Sequence, residues 1–163
     1  DEACGFAMPN DVEAQRMMVE VHYYEPWDFC GQEDNATWFW GADNHVSGNA
    51  HNATWGEESH TKSQCELMRK KFVDNGVPVI IGECGAQWRE LSDNQAAHDA
   101  SVKAWFKCLV ENAGKNGIIP MVWDINNANR GGEKGTMTII NRSNLSIFCA
   151  PALEGIKEGV AAK

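Results

Sequence analysis

The sequence predicts an α/β protein built around a parallel β-sheet. Short apolar runs typical of buried strands alternate with longer segments in which apolar residues recur at helical spacing. The predicted strands cover residues 17–24, 77–83 and 118–124, and the predicted helices cover residues of about 57–74, 92–114 and 152–162. Strands that alternate with helices in this way are joined by right-handed crossovers, so all three strands should point in the same direction.

The first predicted strand, MMVEVHYY, is rich in residues that favour strands, and a long loop at residues 25–56 follows it. Loops of this length are uncommon in compact domains unless they bind something. Four of the seven tryptophans lie in this loop, namely Trp27, Trp38, Trp40 and Trp55. An indole suits stacking on the face of a sugar, and it suits filling a core equally well.

The first predicted helix places Cys65 and Phe72 on one apolar face, and Asn75 with Gly76 forms its stop signal. The second predicted strand, VPVIIGE, is a continuous apolar run of the kind that forms a covered strand in a parallel sheet. It ends in a carboxylate, Glu83, which follows a glycine.

The second predicted helix begins with a capping box formed by Ser92 and Gln95. Apolar residues such as Trp105 then follow the helical period until Gly114 closes the helix. The third predicted strand, IIPMVWD, and a short final helix complete the order of elements.

Composition excludes several classes of function. The chain has 163 residues and is 43% hydrophobic, so it can bury a core of single-domain size. No stretch approaches the roughly 20 apolar residues of a membrane span, and the first residues show no signal-peptide pattern. The net charge of −9 argues against a nucleic-acid partner, because binding to phosphates depends on Lys and Arg. We therefore expect neither a membrane nor a nucleic acid as partner.

The six cysteines show no C-x-x-C spacing and no dense framework. This pattern argues against an ordered metal site and against a disulfide-stapled miniprotein. Several of them occupy apolar periodic positions, where a buried free thiol is expected.

Polar and aromatic groups close all three predicted strands. His22 and Tyr24 end the first strand, Glu83 ends the second, and Trp123 with Asp124 ends the third. Each of these residues alone could be a solvated strand end or part of a core. Chemistry in parallel α/β folds, however, is carried by the carboxyl ends of the strands, and here three strands bring such groups to one rim. A tryptophan-rich loop beside a carboxylate predicts a carbohydrate site.

Three stretches carry a resemblance to a known family: VEVHYYEPWDF, KFVDNGVPVIIGECGA and IIPMVWDINN. They resemble the last three strands of the barrel of glycoside hydrolase family 5, within clan A, and the likeness is greatest to endo-β-1,4-glucanases (cellulases). The resemblance implies a partial (β/α)8 TIM barrel, approximately strands 6 to 8 with their helices. On this basis residues 1–163 form the C-terminal part of one catalytic domain of a secreted, extracellular or periplasmic enzyme.

The resemblance also implies roles for individual residues. Glu83 is expected to be the nucleophile of a retaining hydrolysis that passes through a covalent glycosyl-enzyme intermediate. Tyr24 is expected to hydrogen-bond the carboxylate of Glu83, while His22 lines the cleft near the reacting sugar. Trp123 is expected to form a platform under the sugar next to the scissile bond. Glu20 shares the inward side of its strand with His22, and we predict that it is a polar filler of the barrel interior.

Further substrate contacts are predicted at Trp27, Trp55, Asp124 and Asn127. The two tryptophans could instead pack under the loop, and Asp124 and Asn127 could instead shape the last loop. The family chemistry needs no metal and no cofactor. The irregularly spaced histidines are therefore predicted to be surface residues: His45, His51 and His60.

The general acid/base of the family is a Glu that follows an Asn at the end of the fourth strand, and no such strand precedes residue 17. We therefore expect a fragment that lacks the acid/base and the N-terminal part of its barrel, and that is inactive alone. The predicted substrate is a β-1,4-glucan, with xyloglucan, mannan and xylan as alternatives. A non-catalytic carbohydrate-binding module or pseudoenzyme, and a small doubly wound α/β protein, are the alternative classes.

Overall fold

The computed structural model describes residues 5–13, 15–129 and 132–162. The longer strands are β1 (Val19–Tyr23), β2 (Val79–Cys84) and β3 (Ile118–Val122). The helices are α1 (Trp27–Cys30), α2 (Glu58–Lys71), α3 (Gln95–Lys115) and α4 (Ala150–Ala161). A small antiparallel hairpin, β4 (Ile140–Asn141) and β5 (Ser146–Ile147), lies between β3 and α4. Short 3₁₀ turns occupy Ala42–Asn44, Val73–Asn75 and Gly132–Lys134.

The three longer strands form one parallel sheet in the order β1–β2–β3, as the sequence predicts. Val19 pairs with Val79, and Val79 pairs in turn with Ile118, so the strands begin at the same level. Helix α2 lies between β1 and β2 in the chain, and α3 lies between β2 and β3. The carboxyl ends of all three strands therefore meet at one edge of the sheet.

The two faces of the sheet differ in burial. Val19, Ile81 and Ile118 are buried in the main core together with side chains of α2, α3 and α4. On the opposite face Ile119 is 63% exposed and Met121 is 50% exposed. A doubly wound protein covers both faces of its sheet with helices, and the described helices cover one. The described residues therefore do not form the small doubly wound fold that was one of the alternatives.

Helix α3 begins at Gln95 rather than at Ser92, and the predicted capping box is wrong. The N-cap is Asn94, whose left-handed conformation (φ 59°) turns the chain between Ser92 and the first helical turn. The Gln95 side chain instead accepts a hydrogen bond from the Leu91 backbone N–H at 2.7 Å and donates to Asp99 at 2.8 Å. The Gln95 side chain thus stabilises the loop before α3 and does not take part in an N-terminal capping box.

Helix α4 begins at Ala150, slightly earlier than predicted, and has a proline in its first turn. It approaches α3 closely because two of its residues are glycines. A Cβ at Gly155 would lie 2.3 Å from the carbonyl oxygen of Lys103, and a Cβ at Gly159 would lie 2.8 Å from that of Lys107. This contact closes the helical layer on the buried side of the sheet.

The loop at residues 25–56 contributes buried side chains to the main core. Trp40 is fully buried, and its indole N–H donates to the carbonyl of Gly56 at 2.9 Å. Phe29 and Phe39 are buried in the same region. Of the four tryptophans in the loop, Trp40 therefore fills a core and cannot bind a ligand.

A buried polar cluster joins this loop to α3. The guanidinium of Arg89 donates to the carbonyl of Gln32 at 2.5 Å and to the side chain of Gln87 at 2.7 Å. The Arg89 backbone N–H donates to His98 Nε2 at 2.9 Å, so His98 carries its proton on Nδ1, which lies 2.7 Å from the carbonyl oxygen of Trp38. Burial lowers the pKa of His98 to about 4, so this histidine is neutral at pH 7.

The five cysteines within the described residues are free thiols, as predicted, and Cys4 lies outside those residues. Four of the five are buried: Cys30, Cys65, Cys84 and Cys149. None of the helices in the described residues is both long enough and apolar enough to cross a bilayer.

Candidate active site

Three of the predicted site residues meet at the carboxyl ends of β1 and β2. The Tyr24 hydroxyl donates a hydrogen bond to Glu83 Oε2 at 2.9 Å. The imidazole Nδ1 of His22 lies 3.4 Å from the same oxygen. One carboxylate oxygen is thus contacted by two groups from the neighbouring strand, and the carboxylate points along the open face of the sheet.

A β-bulge places Glu83 opposite His22. Val21 pairs with Ile81, but the next residue of β1, His22, pairs with Glu83 rather than with Gly82. Gly82 is therefore the additional residue in β2, and the alternation of faces is interrupted there. Ile81 and Cys84 are buried, while Glu83 between them faces the open side with 29% of its side chain exposed.

The environment of Tyr24 keeps its hydroxyl protonated. Burial and the hydrogen bond to the Glu83 carboxylate both raise the pKa of Tyr24. At neutral pH the hydroxyl therefore serves as a donor to Glu83. A hydrogen bond from a hydroxyl to a carboxylate restricts the rotamer of that carboxylate.

The second nitrogen of His22 faces another carboxylate, since Nε2 lies 3.4 Å from Glu20 Oε1. Glu20 is predicted to be a polar filler of the barrel interior. The structure places its carboxylate 3.4 Å from the His22 imidazole on the open face of the sheet. Sequence alternation puts Glu20 and His22 on the same face, but it does not indicate that their side chains meet.

Trp123 lies beside the end of β2 with 47% of its surface exposed. Its backbone N–H donates to the carbonyl of Cys84 at 2.8 Å, which extends the pairing between β2 and β3 beyond Val122. Trp123 follows the exposed residues Ile119 and Met121 on the open face. The structure thus places this tryptophan on the same rim as Glu83.

Trp27 and Trp55 are the exposed tryptophans of the loop at residues 25–56, at 54% and 48% exposed. Trp27 packs edge-to-face against Tyr24, with ring centroids 6.2 Å apart. A Cβ on Gly56 would lie 2.8 Å from Pro26 Cβ, so the residue after Trp55 packs against the proline ring before Trp27. The Trp27 indole thus lies beside Tyr24 and over Gly31, whereas Trp55 packs edge-to-face against His60, with ring centroids 5.7 Å apart.

Asp124 and Asn127 hold the last loop together. Asp124 Oδ2 accepts backbone hydrogen bonds from Ile139 and Ile140 at 3.0 and 3.1 Å, and Oδ1 accepts one from Asn126 at 2.7 Å. Burial alone would raise the pKa of Asp124, but these N–H donors outweigh it and lower the pKa. Three donors occupy the carboxylate, which favours the loop-shaping alternative over a contact with sugar.

Asn127 makes its described contacts through the backbone. Its N–H donates to Thr138 Oγ1 at 2.7 Å, and its carbonyl accepts from Thr136 Oγ1 at 3.1 Å. The Asn127 side chain is exposed. The side-chain amide therefore remains open to a ligand.

The three histidines of the loop and α2 have separate partners. His45 Nε2 lies 2.8 Å from Glu57, and His60 Nε2 lies 2.5 Å from Glu25. His51 stacks on Trp38 with ring centroids 3.6 Å apart. Among the described residues no group of three or more potential ligands is arranged to hold a metal ion.

A parallel sheet with helices on one face and a carboxylate at its strand ends is the arrangement found in part of an α/β barrel, the class of protein to which these features point. Residues 1–129 match the family model for cellulases, glycosyl hydrolase family 5. Endoglucanase A of Paenibacillus barcinonensis is 32% identical over 164 residues, which cover 96% of this chain and 39% of that protein. The chain belongs to glycosyl hydrolase family 5, which confirms the resemblance found in its three motifs.

Solved structures agree with this assignment. XEG5B, a xyloglucan-specific β-1,4-glucanase from a ruminal metagenomic library, superposes with a TM-score of 0.86 at 48% identity over 90% of this chain and 39% of that chain. A family 5 xyloglucanase from Paenibacillus pabuli gives a TM-score of 0.78 at 30% identity over 94% of this chain and 43% of that chain. The chain thus spans less than half the length of these relatives, and its fold is part of a TIM barrel.

Proposed function

We propose that this chain contributes the nucleophile and part of the substrate cleft to a retaining, endo-acting hydrolase of β-1,4-glucans. The observation that carries the proposal is the contact of the Glu83 carboxylate with the Tyr24 hydroxyl and the His22 imidazole at the rim of the sheet. Family membership supports it, because members of the family that this chain resembles are endoglucanases and xyloglucanases.

In the proposed reaction a Glu83 oxygen attacks the anomeric carbon of the sugar. The bond from that carbon to the leaving oxygen breaks, and the leaving oxygen takes a proton from a general acid. Water then attacks the glycosyl-enzyme ester, gives up its proton to the same residue, and restores the Glu83 carboxylate. Tyr24 keeps Glu83 in the attacking rotamer throughout.

A second carboxyl must lie about 5 Å from the nucleophile in a retaining enzyme. We propose that this acid/base is the Glu of an Asn-Glu pair on a barrel strand that precedes β1. The strands β1 to β3 would then form the nucleophile side of the barrel, and the 163 residues by themselves would be inactive.

Xyloglucan is the first substrate to test. Three of the solved structures that resemble this chain at 26% to 48% identity are xyloglucanases. The exposed indoles of Trp27, which packs against Tyr24, and of Trp55 in the same loop offer flat apolar area to sugar rings. Unsubstituted β-1,4-glucan, mannan and xylan are the alternative substrates. Because such polymers do not cross membranes, we infer that the enzyme acts outside the cell.

The test uses the full polypeptide that carries this chain, with tamarind xyloglucan and carboxymethylcellulose as substrates. Glu83→Gln should lower the rate on the order of 10⁴-fold, because the nucleophile is lost. Glu66→Gln, which removes a carboxylate from α2, is the control and should retain activity. Proton NMR of the first product should show retention of the anomeric configuration. Binding of polymer without any hydrolysis by the wild type would instead indicate a binding module or a pseudoenzyme.

A further inference from the structure

We propose that Glu20 is a positioning residue that holds the His22 imidazole in place beside Glu83, an inference that rests on the proposed function. The His22 ring lies between two carboxylates. Its Nε2 is 3.4 Å from Glu20 Oε1, and its Nδ1 is 3.4 Å from Glu83 Oε2. Both nitrogens of the ring therefore lie near acidic side chains, one from its own strand and one from the neighbouring strand.

Glu20 reaches this position because Gly82 on the neighbouring strand has no side chain. A Cβ at residue 82 would lie 1.9 Å from Glu20 Oε1 and 2.6 Å from its carboxyl carbon. Glu20 pairs with Ile80, so its side chain leans along the strands toward Gly82 and the rim. The glycine at the bulge thus places Glu83 opposite His22 and also makes room for the carboxylate behind His22.

The contact with Glu20 fixes which atoms of the ring face the nucleophile. A flip of the imidazole about its Cβ–Cγ bond exchanges each nitrogen for a carbon atom, and a carbon offers the carboxylate only a weak contact. With Glu20 present, a flipped imidazolium ring loses an N–H contact to Glu20 and another to Glu83, because only the imidazolium carries a proton on both nitrogens. Without Glu20, it loses only the contact to Glu83, so the unproductive orientation becomes more populated.

The size of the effect on stability distinguishes a positioning role of Glu20 from a role in holding the fold together. The side chains of His22 and Glu20 are 50% and 56% exposed, and half-exposed pairs of this kind add little to stability. The described titratable groups around this pair include Glu83 and the Tyr24 hydroxyl that donates to it. Lys71 and Arg16 also line the cavities beside Glu20. A change in the rate of reaction with little change in stability is therefore the expected signature.

Kinetics of the full polypeptide that carries this chain give the first test. Glu20→Ala should lower kcat by about tenfold and change KM by less than about twofold, the size of one lost orienting contact. Glu20→Gln keeps an oxygen at the same reach and should recover most of the rate. In a His22→Ala background, Glu20→Ala should cause no further loss, whereas independent losses that multiply would overturn the proposal.

A second variant moves the Glu20 carboxylate without altering Glu20 or His22. Gly82→Ala should push the flexible Glu20 side chain away from β2 and lower kcat to the level of Glu20→Ala. Combined with Glu20→Ala, it should add nothing. A further loss in the double variant would mean that residue 82 acts through the bulge alone and would count against the proposal.

An NMR experiment tests the role of Glu20 independently of the hydrolase activity. In ¹⁵N-histidine-labelled protein, the ring signals of His22, assigned by their loss in His22→Ala, should shift in Glu20→Ala, while those of His45 stay unchanged. An unchanged His22 signal would refute the role of Glu20 even in an active hydrolase. A shifted signal in a protein that hydrolyses nothing would support the role of Glu20 and reject the hydrolase.

Discussion

Glu83 lies directly opposite His22 in the parallel sheet, although uniform pairing from Val21 and Ile81 would place Gly82 there. The bulge shifts the end of β2 by one residue and directs the carboxylate onto the open face. Tyr24, two residues beyond His22, then reaches Glu83 at 2.9 Å. A local irregularity of the strand thus brings these three side chains together.

The first prediction concerns the Tyr24 hydroxyl. Tyr24→Phe removes the hydrogen bond to Glu83 and should lower kcat/KM by roughly 10- to 100-fold, because a bond to a charged acceptor contributes about 1.5–3 kcal/mol. Steady-state kinetics on xyloglucan measure the effect. Tyr23→Phe is the control: Tyr23 faces the core and bonds Thr61 at 2.9 Å, so its loss should affect stability but leave kcat intact.

The second prediction concerns Trp55 as a surface for sugar. Trp55→Ala should raise KM by roughly 5- to 30-fold, equivalent to about 1–2 kcal/mol, with little change in kcat, because stacking acts on substrate and transition state alike. Phe6→Ala removes an aromatic ring of similar exposure (49%) and should leave both constants unchanged. An equal loss of kcat and kcat/KM in Trp55→Ala would contradict a purely binding role.

The third prediction concerns the Asp124 carboxylate. Asp124→Asn should destabilise the protein by about 1.5–3 kcal/mol at pH 7, because three backbone donors lose a charged acceptor. The folded pKa is lowered below the ordinary 3.8, so this stability is present above pH 3.8 and is lost as pH falls through the lowered value. Chemical denaturation between pH 7 and pH 2 should show the two proteins converging at the acid end.

The control for this prediction is Asp93→Asn, since Asp93 is exposed. That variant should follow the wild type at every pH. A constant difference between Asp124→Asn and the wild type across the whole range would show that packing, rather than charge, is responsible.

The fourth prediction concerns the buried His98. The unfolded histidine binds a proton near pH 6.5, while the folded one does so only near pH 4, so the unfolded state holds more protons between these values. The free energy of unfolding should therefore fall by about 3 kcal/mol as pH drops from 7 to 4. His98→Gln should weaken this pH dependence, whereas His45→Gln, at an exposed position, should retain it. Tryptophan fluorescence during urea unfolding provides the measurement.

The parallel sheet and its helices could be predicted because each strand is a compact apolar run and each long helix has a periodic apolar face. The start of α3 could not be predicted from the local sequence. Ser92 and Gln95 have the spacing of a capping box, yet Asn94 takes the left-handed conformation and the helix begins after it. Where the helix begins depends on the hydrogen bonds of the Gln95 side chain to Leu91 and Asp99. The spacing of Ser92 and Gln95 along the chain does not determine these bonds.

Part of the site also followed from the sequence. His22, Tyr24, Glu83 and Trp123 share one rim because parallel strands end together. The contact of Glu20 with His22 could not be predicted, since it depends on a bulge and on the space over Gly82.

The hydrogen-bond partners of Asp124 and of Arg89 could not be predicted from the sequence either. Asp124 binds the backbone of Ile139 and Ile140, and the Arg89 guanidinium reaches the carbonyl of Gln32 in a distant loop. Both contacts join segments that are far apart in the sequence and meet only in the folded protein. No local sequence pattern therefore predicts them.

The buried thiols allow the local unfolding of individual segments to be measured separately. Cys65 belongs to α2, Cys84 to β2, and Cys149 directly precedes α4. Burial raises the pKa of each of these three thiols to about 12, so alkylating reagents cannot attack them until the surrounding segment opens. The rates at which iodoacetamide labels the three cysteines, followed by mass spectrometry of the peptides, would therefore rank the local stabilities of helix, strand and C-terminal segment in a single experiment.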